Sequence, residues 1–252
     1  MRLKALLVAL ASAAPGAAFA QGAILEDFAE LATLPPRVYR ATLPPKFDLS
    51  GKMPPPRGQA STSSCVSWAV TYAAASLALR AQTSGLVLSP SFTYNQVSKD
   101  PTCQTGTNAS KTLDLLKTVG ALPIGEFAFD AGFCGRVPTP DELKSAARYR
   151  IKAWSAFDAS NIENVKQQIV AGSAVMFGMR TGPGLRALKG DKALETDESS
   201  GEGHQMVAVG YDDAKQALMI QNSWGTNWGN GGYGWFSYDF WKSRVRTAYV
   251  IQ

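Results

Sequence analysis

The 252-residue sequence predicts an α+β protein with two lobes. Apolar residues recur at three- and four-residue spacing between positions 64 and 81, and again between 108 and 118, which indicates helices in the first half. The second half carries short apolar runs separated by turn residues, as antiparallel strands do. Because helices and strands segregate along the chain, an α+β arrangement is favoured. The length suits one large domain or two lobes.

The N-terminus has the composition of a targeting segment. Residues 1–20 combine a basic start, an apolar run and a small-x-small cleavage site at 18–20, as in a signal peptide. A membrane anchor is the weaker alternative, because the run is short and is broken by Pro15 and Gly16. We therefore expect export, to a periplasm or out of the cell, and no membrane span after cleavage. Residues 21–46 read as a short Pro-rich leader or linker outside the core.

The first lobe is expected to cover about 47–145 and to be organised around a buried helix over 64–81. Ser63 or Ser64 is its expected N-cap, and Gly85 lies just beyond its end. The second lobe is expected to cover about 146–252, with a helix over 160–171. Its predicted β segments are 149–154, 173–179, 204–211, 217–222 and 231–238.

Cys65 stands at the start of the predicted central helix, where free N–H groups and the helix dipole favour a thiolate. The common alternative for a lone cysteine is a small buried hydrophobe. Gln59 lies six residues earlier in the same loop. Its amide, with the backbone N–H of Cys65, could bind the oxyanion of a tetrahedral intermediate, a contribution of roughly 3 kcal/mol. The alternative is an ordinary loop glutamine.

His204 is the only histidine of the chain, so any Cys–His chemistry must use it as acid and base. A packed core histidine is the alternative. Asn222 ends the next predicted strand and can orient the imidazole, or it is a turn asparagine. Trp224 and Trp228 follow it and serve either as core aromatics or as a shield that strengthens the polar contact.

Three cysteines in an exported chain leave one without an intramolecular partner. If Cys103 pairs with Cys134, the free thiol is Cys65, as a thiol enzyme requires. The sequence alone leaves the other pairings open.

These residues and their neighbours resemble the papain-like cysteine peptidases, in a bacterial-type variant. The resemblance rests on Gln59 with Cys65, on GHQMVAVGYDD from residue 203, and on QNSWGTNWGNGGYGW from residue 221. His204 and Asn222 follow the cysteine by 204 − 65 = 139 and 222 − 65 = 157 residues, against about 130–150 in that family.

The resemblance implies a helical left lobe, an antiparallel β-barrel-like right lobe and an active-site cleft between them. It makes Cys65 the nucleophile, His204 the acid and base, Asn222 its orienting partner and Gln59 the oxyanion donor, with a thiolate–imidazolium resting pair. It also implies a bridge between Cys103 and Cys134, and substrate contacts at Gly106 and Trp224. For Gly106 the spacing is off by about one residue.

The sequence departs from the family in three places. Thr62 stands where many members have a cysteine three residues before the nucleophile, and the aromatic residue after the nucleophile is displaced to Trp68. The leader is shorter than the helical propeptide that fills the cleft in many members. Either the enzyme needs no such inhibitor or a short segment does part of its work, and we expect little latency after export.

The leading functional hypothesis is an exported peptidase, and specifically an endopeptidase acting on polypeptides. The alternatives are a thiol amidase or transpeptidase acting on cell-wall peptides, and a papain-like binding module without turnover. The formal net charge of +5 includes Arg2 and Lys4 of the signal segment, so the remainder is too weak and dispersed to indicate nucleic acid. No cofactor and no metal are expected, and the expected state is a monomer.

Overall fold

A computed structural model describes residues 21–31, 33, 35–38, 42–198 and 201–252. The predicted signal peptide, 1–20, lies outside the described residues. No helix within these ranges is long and apolar enough to cross a membrane.

The predicted central helix runs from 65 to 79 and is almost entirely buried. It starts as an α-helical turn at Cys65–Ser67, continues as a π-helical stretch at Trp68–Ala75 and ends as an α-helical turn at Ser76–Leu79. The sequence pattern predicted the helix but not its π-helical centre. Small alanine side chains let this widened stretch pack on all sides, and π-helical segments are frequent at functional sites.

The remaining helices confirm the predicted segments at 108–118 and 160–171 within a few residues, and they bury Leu113, Leu116, Ile162 and Ile169. A C-terminal helix was not predicted. These helices are Pro90–Ser98, Ala109–Thr118, Pro140–Ala146, Ile162–Val170, Pro183–Ala187 and Tyr238–Arg244, with 3-10 turns at Phe28–Glu30, Ser50–Lys52 and Ala147–Tyr149.

Within the described part of the chain, eight strands form one sheet, with β2-β8-β3-β5-β6-β7-β4 in order and β1 paired to β5. All pairs are antiparallel except β4 with β7. The described sheet is therefore open rather than a closed barrel. The strands are β1 Lys46–Asp48, β2 Trp154–Asp158, β3 Val175–Arg180, β4 Ala193–Leu194, β5 Gly203–Asp212, β6 Ala217–Gln221, β7 Tyr233–Ser237 and β8 Thr247–Ile251.

The β segment predicted at 149–154 is misplaced. Residues 147–149 extend the preceding helix as a 3-10 turn, and the strand begins only at Trp154. Strand β8 was not predicted. It lies between β2 and β3 and is buried over most of its length, so it lacks the polar–apolar alternation that marks a half-exposed strand.

Cys103 and Cys134 form a disulfide, which leaves Cys65 as the free cysteine. The bridge joins residues 31 positions apart in the helical lobe. Closing a loop of this length in the unfolded chain stabilises the fold by about 3–4 kcal/mol. The pairing implied by the family resemblance is thus present.

Candidate active site

Cys65 is the first residue of the central helix and has no exposed surface. Backbone N–H groups of Gln205, Val66 and Cys65 itself lie within hydrogen-bonding reach of its sulfur. Because Gln205 directly follows His204 on β5, the sulfur lies beside the strand that carries the histidine. The central helix packs on β5, which brings the helical and β parts of the site together.

The β5–β6 hairpin brings His204 and Asn222 together. Nε2 of His204 lies 2.7 Å from Oδ1 of Asn222, and the backbone N–H of Ser223 donates to the same oxygen at 2.7 Å. A backbone N–H can only donate, so the atom it meets is the amide oxygen. His204 must therefore carry its hydrogen on Nε2. Its Nδ1, which has no hydrogen-bond partner among the described residues, is left as the basic nitrogen.

Trp224 covers this pair. Its ring stacks on the imidazole of His204 with centroids 4.5 Å apart and planes inclined by 23°, and Trp228 meets Trp224 edge-on at 6.1 Å. Excluding water strengthens the hydrogen bond between His204 and Asn222. Both tryptophans are buried. The two interpretations from the sequence, a core aromatic and a shield over the polar contact, therefore apply to the same side chains.

Gln59 is fully buried and is held on both ends of its amide. Its Nε2 donates to the Thr62 carbonyl at 2.7 Å, and its Oε1 accepts from the Ser223 hydroxyl at 2.7 Å. An amide nitrogen has two hydrogens, so one remains for an oxyanion. Ser223 is a positioning residue that the sequence analysis missed. The sequence signal that could have identified Ser223 is its position between Asn222 and Trp224, within the family-specific segment that begins at residue 221.

The leader, expected outside the core, forms backbone hydrogen bonds to both sides of the site. The N–H groups of Gly22 and Ala23 donate to the Gly203 carbonyl at 3.0 and 2.9 Å. On the other side, Thr107 N–H donates to the Gly22 carbonyl at 2.9 Å, and its carbonyl accepts from Ile24 N–H at 2.8 Å. Residues 22–24 thus join the loop of the helical lobe to the strand carrying His204.

Close backbone approach makes this arrangement possible. Gly22 has φ +138°, and a Cβ there would lie 2.4 Å from the carbonyl oxygen of Ser63, two residues before the cysteine. A Cβ at Gly106 would lie 2.5 Å from the Gly22 oxygen. Gly106 therefore contacts the peptide backbone in the cleft, whereas the hydrogen bonds come from Thr107, the next residue.

Glu26 anchors the leader to both lobes. Its carboxylate accepts from Ser110 N–H and from Asn108 Nδ2 at 3.1 Å each, from the Ser110 hydroxyl, and from the Tyr249 hydroxyl at 3.0 Å. Asn108 and Ser110 lie at the N-terminus of the helix Ala109–Thr118, where a negative charge is stabilised. Tyr249 lies on β8. The sequence analysis gave no role to this glutamate.

Burial shifts the pKa values of both Cys65 and His204. Desolvation raises the pKa of the Cys65 thiol to about 12, against smaller opposing effects of backbone hydrogen bonds. Desolvation also lowers the pKa of His204 to about 4, although its hydrogen bond to Asn222 acts in the other direction. Both shifts favour the neutral forms and so act against the thiolate–imidazolium pair that the family resemblance implies.

The lowered pKa of His204 predicts a pH-dependent stability. Between pH 6.5 and 4 the unfolded histidine binds a proton that the folded one does not, so the folded state loses stability as the pH falls through this window, by at most about 3 kcal/mol. Urea unfolding of the full chain at several pH values measures the slope. His204→Gln should flatten it, and identical slopes in the two proteins would contradict the assignment.

Within the described ranges, no group of three or more His, Cys, Asp or Glu side chains is placed to hold a metal ion. The side chains that the site brings together are a thiol, an imidazole with one free nitrogen, and two oriented amides.

The sequence model described as "Papain family cysteine protease" matches residues 43–250. Among solved structures, xylellain, a cysteine protease from Xylella fastidiosa, superposes with a TM-score of 0.78 at 23% identity, over 97% of this chain and 99% of that one. A Carica candamarcensis cysteine protease in complex with E-64 gives a TM-score of 0.65 at 18% identity, over 83% and 99% of the two chains.

Curated relatives match over shorter segments. Peptidase 1 of Dermatophagoides pteronyssinus is 26% identical over 99 residues, which are 37% of this chain and 31% of that protein. Gamete and mating-type specific protein A of Dictyostelium discoideum is 34% identical over 70 residues, 24% and 16% of the two chains. The matched parts are thus under a third of these relatives' lengths. The family match, by contrast, spans most of the sequence and both halves of the site, and it shows that this chain belongs to the papain family of cysteine proteases.

Proposed function

We propose that this chain is an exported cysteine endopeptidase that hydrolyses peptide bonds through an acyl-enzyme on Cys65. The observation that carries the proposal is a chain of hydrogen bonds from His204 through Asn222 and Ser223 to Gln59. These hydrogen bonds hold three groups near one thiol: the base, the amide that orients the base, and a second amide that can donate.

In the proposed reaction, the Cys65 thiol gives its proton to Nδ1 of His204, and the thiolate attacks the substrate carbonyl carbon. The oxyanion accepts from the free N–H of Gln59 and from the backbone N–H of Cys65, which stabilises it by about 3 kcal/mol. The C–N bond then breaks while His204 protonates the leaving amine. Water attacks the thioester with His204 as base, which releases the acid and restores the thiol.

Two cavities support endopeptidase rather than exopeptidase action. One of about 650 Å³ lies against Gly58 and Gly225, next to Gln59 and Trp224 in the sequence. The other, of about 480 Å³, lies against Ser63 and Gly203 and is lined in part by the leader. A polypeptide could therefore extend on both sides of the thiol.

The proposal includes latency. With the leader in place neither Cys65 nor His204 has exposed surface, so hydrolysis requires the leader to leave the cleft. This replaces the expectation of little latency. The disulfide supports export, since such bonds persist in oxidising compartments. We further propose a monomer with lobes at about 47–145 and 146–252, because the described site is built from a single chain.

Incubation of the leader-free protein with a denatured protein and, separately, with peptidoglycan tests the proposal. Mass spectrometry should find fragments cut at internal sites of the polypeptide and none from a His204→Gln control. Cleavage only at chain ends would make it an exopeptidase. Reaction with peptidoglycan alone would favour the amidase or transpeptidase, and turnover of neither would favour the binding module.

A further inference from the structure

The loop before Cys65 contains a pair of buried hydroxyl groups that take no part in the steps of the proposed reaction. Thr62 and Ser64 have no exposed surface, and Oγ1 of Thr62 lies 2.6 Å from Oγ of Ser64. Ser64 is the N-cap residue of the central helix, where a serine side chain ordinarily accepts from a backbone N–H of the first turn. Among the described residues it makes no capping hydrogen bond. The Ser64 hydroxyl therefore contacts Thr62 instead of capping the helix.

A carbonyl group determines the direction of the hydrogen bonds in this pair. The Thr62 hydroxyl lies 2.7 Å from the main-chain carbonyl oxygen of Gln59, and a carbonyl can only accept. The single hydrogen of the Thr62 hydroxyl is used in that contact, so the Ser64 hydroxyl must donate to Thr62 Oγ1. The hydrogen bonds thus run in one direction, from Ser64 through Thr62 to Gln59.

Thr62 holds Gln59 at three points. Besides the hydroxyl, the backbone N–H of Thr62 donates to the same Gln59 carbonyl at 3.3 Å, and the Thr62 carbonyl accepts from Gln59 Nε2 at 2.7 Å. The main chain and the side chain of Gln59 are therefore both fixed relative to one residue. The next residue, Ser63, donates its N–H to the carbonyl of the disulfide-bonded Cys103 at 2.8 Å, which anchors the loop to the helical lobe.

These contacts link the two donors of the proposed oxyanion site. One donor is the second N–H of the Gln59 side-chain amide, and the other is the backbone N–H of Cys65, which belongs to the peptide bond between Ser64 and Cys65. An oxyanion site is effective only if its donors already lie about 2.7–3.1 Å from the position that the oxygen will occupy. The hydrogen bonds from Ser64 to Gln59 join the two segments that carry the donors and so restrict the distance between them.

We propose that the hydroxyl groups of Thr62 and Ser64 set the separation of the two oxyanion donors, which makes Thr62 and Ser64 positioning residues. The inference rests on the proposed function, because it gives the pair a part in stabilising the tetrahedral intermediate. Both hydroxyls are buried, so they act through Gln59 and Cys65 and not on the substrate directly. Removing the Thr62 hydroxyl deprives the Gln59 carbonyl of a donor and the Ser64 hydroxyl of its acceptor.

Matched variants distinguish positioning from general stability. Thr62→Val removes the hydroxyl and keeps the shape of the side chain, whereas Thr62→Ser keeps the hydroxyl. Thr71→Val is the control, because Thr71 is also fully buried and its hydroxyl lies 2.7 Å from that of Thr93, between the central helix and the helix Pro90–Ser98. Both valine variants lose one buried hydrogen bond, so urea unfolding should show similar losses of stability in the two.

Kinetics of the full chain test the proposal. Thr62→Val should lower kcat about tenfold, the factor for one lost net hydrogen bond. KM should not change, because the oxyanion forms only after attack on the carbonyl carbon. Thr62→Ser and Thr71→Val should keep the wild-type kcat.

Alkylation of Cys65 by iodoacetamide provides a readout that positioning of the oxyanion donors does not affect. The sulfur displaces iodide from a CH₂ group, so no oxyanion forms. The alkylation rate should therefore equal that of the wild type in all three variants. It also shows whether the leader covers the thiol to the same extent in each.

Ser64→Ala interrupts the same hydrogen bonds at their other end and decides the question if Thr62→Val does not fold. The Thr62 hydroxyl still holds the Gln59 carbonyl in this variant, so kcat should fall by a smaller factor, about threefold.

Wild-type kcat in both Thr62→Val and Ser64→Ala would overturn the proposal. An equal loss in Thr71→Val, or an alkylation rate that falls as much as kcat, would overturn it too. If the wild-type chain hydrolyses no peptide, the proposed function fails, and crystal structures then test the positioning alone. The distance between Gln59 Nε2 and the Cys65 nitrogen should change in Thr62→Val and not in Thr62→Ser, and an unchanged distance in both would contradict the positioning role.

Discussion

Replacing Cys65 with serine is expected to abolish peptide hydrolysis, with kcat/KM falling on the order of 10⁴-fold. A serine hydroxyl is far less acidic than a thiol, and the partner that orients His204 is the neutral amide of Asn222 rather than a carboxylate. Hydrolysis of a denatured protein by the leader-free chain measures the loss. Circular dichroism should show an unchanged fold, since the two side chains are close in size.

Covalent labelling locates the nucleophile independently of turnover. An irreversible thiol-directed peptidase inhibitor should add once to the leader-free wild-type chain, by intact mass, and not at all to the leader-free Cys65→Ser variant. Cys103 and Cys134 are paired and should not react. A label on another residue, or hydrolysis that survives the substitution, would rule out the proposed mechanism.

Release of the leader is expected to raise both the alkylation rate of Cys65 and the rate of hydrolysis by about tenfold or more. The four backbone hydrogen bonds of residues 22–24 and the contacts of Glu26 favour the closed form, and each 1.4 kcal/mol of that preference lowers the open population tenfold. A chain that begins at Asp27 removes both. Iodoacetamide kinetics measure how accessible the thiol is, without any assumption about substrate.

Point variants distinguish the effect of the leader's individual contacts from the effect of having the leader present. Glu26→Ala removes the anchor and should also raise the alkylation rate, whereas Glu30→Ala removes the same charge at an exposed leader position and should leave it unchanged. Gly22→Leu should open the cleft too, because its side chain would collide with Ser63. Equal alkylation rates in all variants and in the shortened chain would show that the leader does not control access to the thiol.

Local patterns were sufficient to predict the elements that carry the site. The central helix, the helix over 108–118 and the β5–β6 hairpin follow from periodicity, small residues and turn composition, all of which act within a few residues. Strand β8 and the open sheet could not be obtained in this way, since a strand buried between two others shows no alternation and sheet closure depends on distant pairings. The π-helical centre of the central helix likewise depends on its packing.

Three features of the candidate site could be identified from the sequence alone: a single histidine, a cysteine at a helix start and a family-specific segment around Asn222. The folded chain was needed for three others: which nitrogen of His204 is basic, that Ser223 holds Gln59, and that residues 22–24 hydrogen-bond to both sides of the site. The physical reason is that these hydrogen bonds, such as those between Gly22 and Thr107, join residues far apart in the chain. Composition and residue spacing do not show such contacts, because the contacts are defined only when the chain folds.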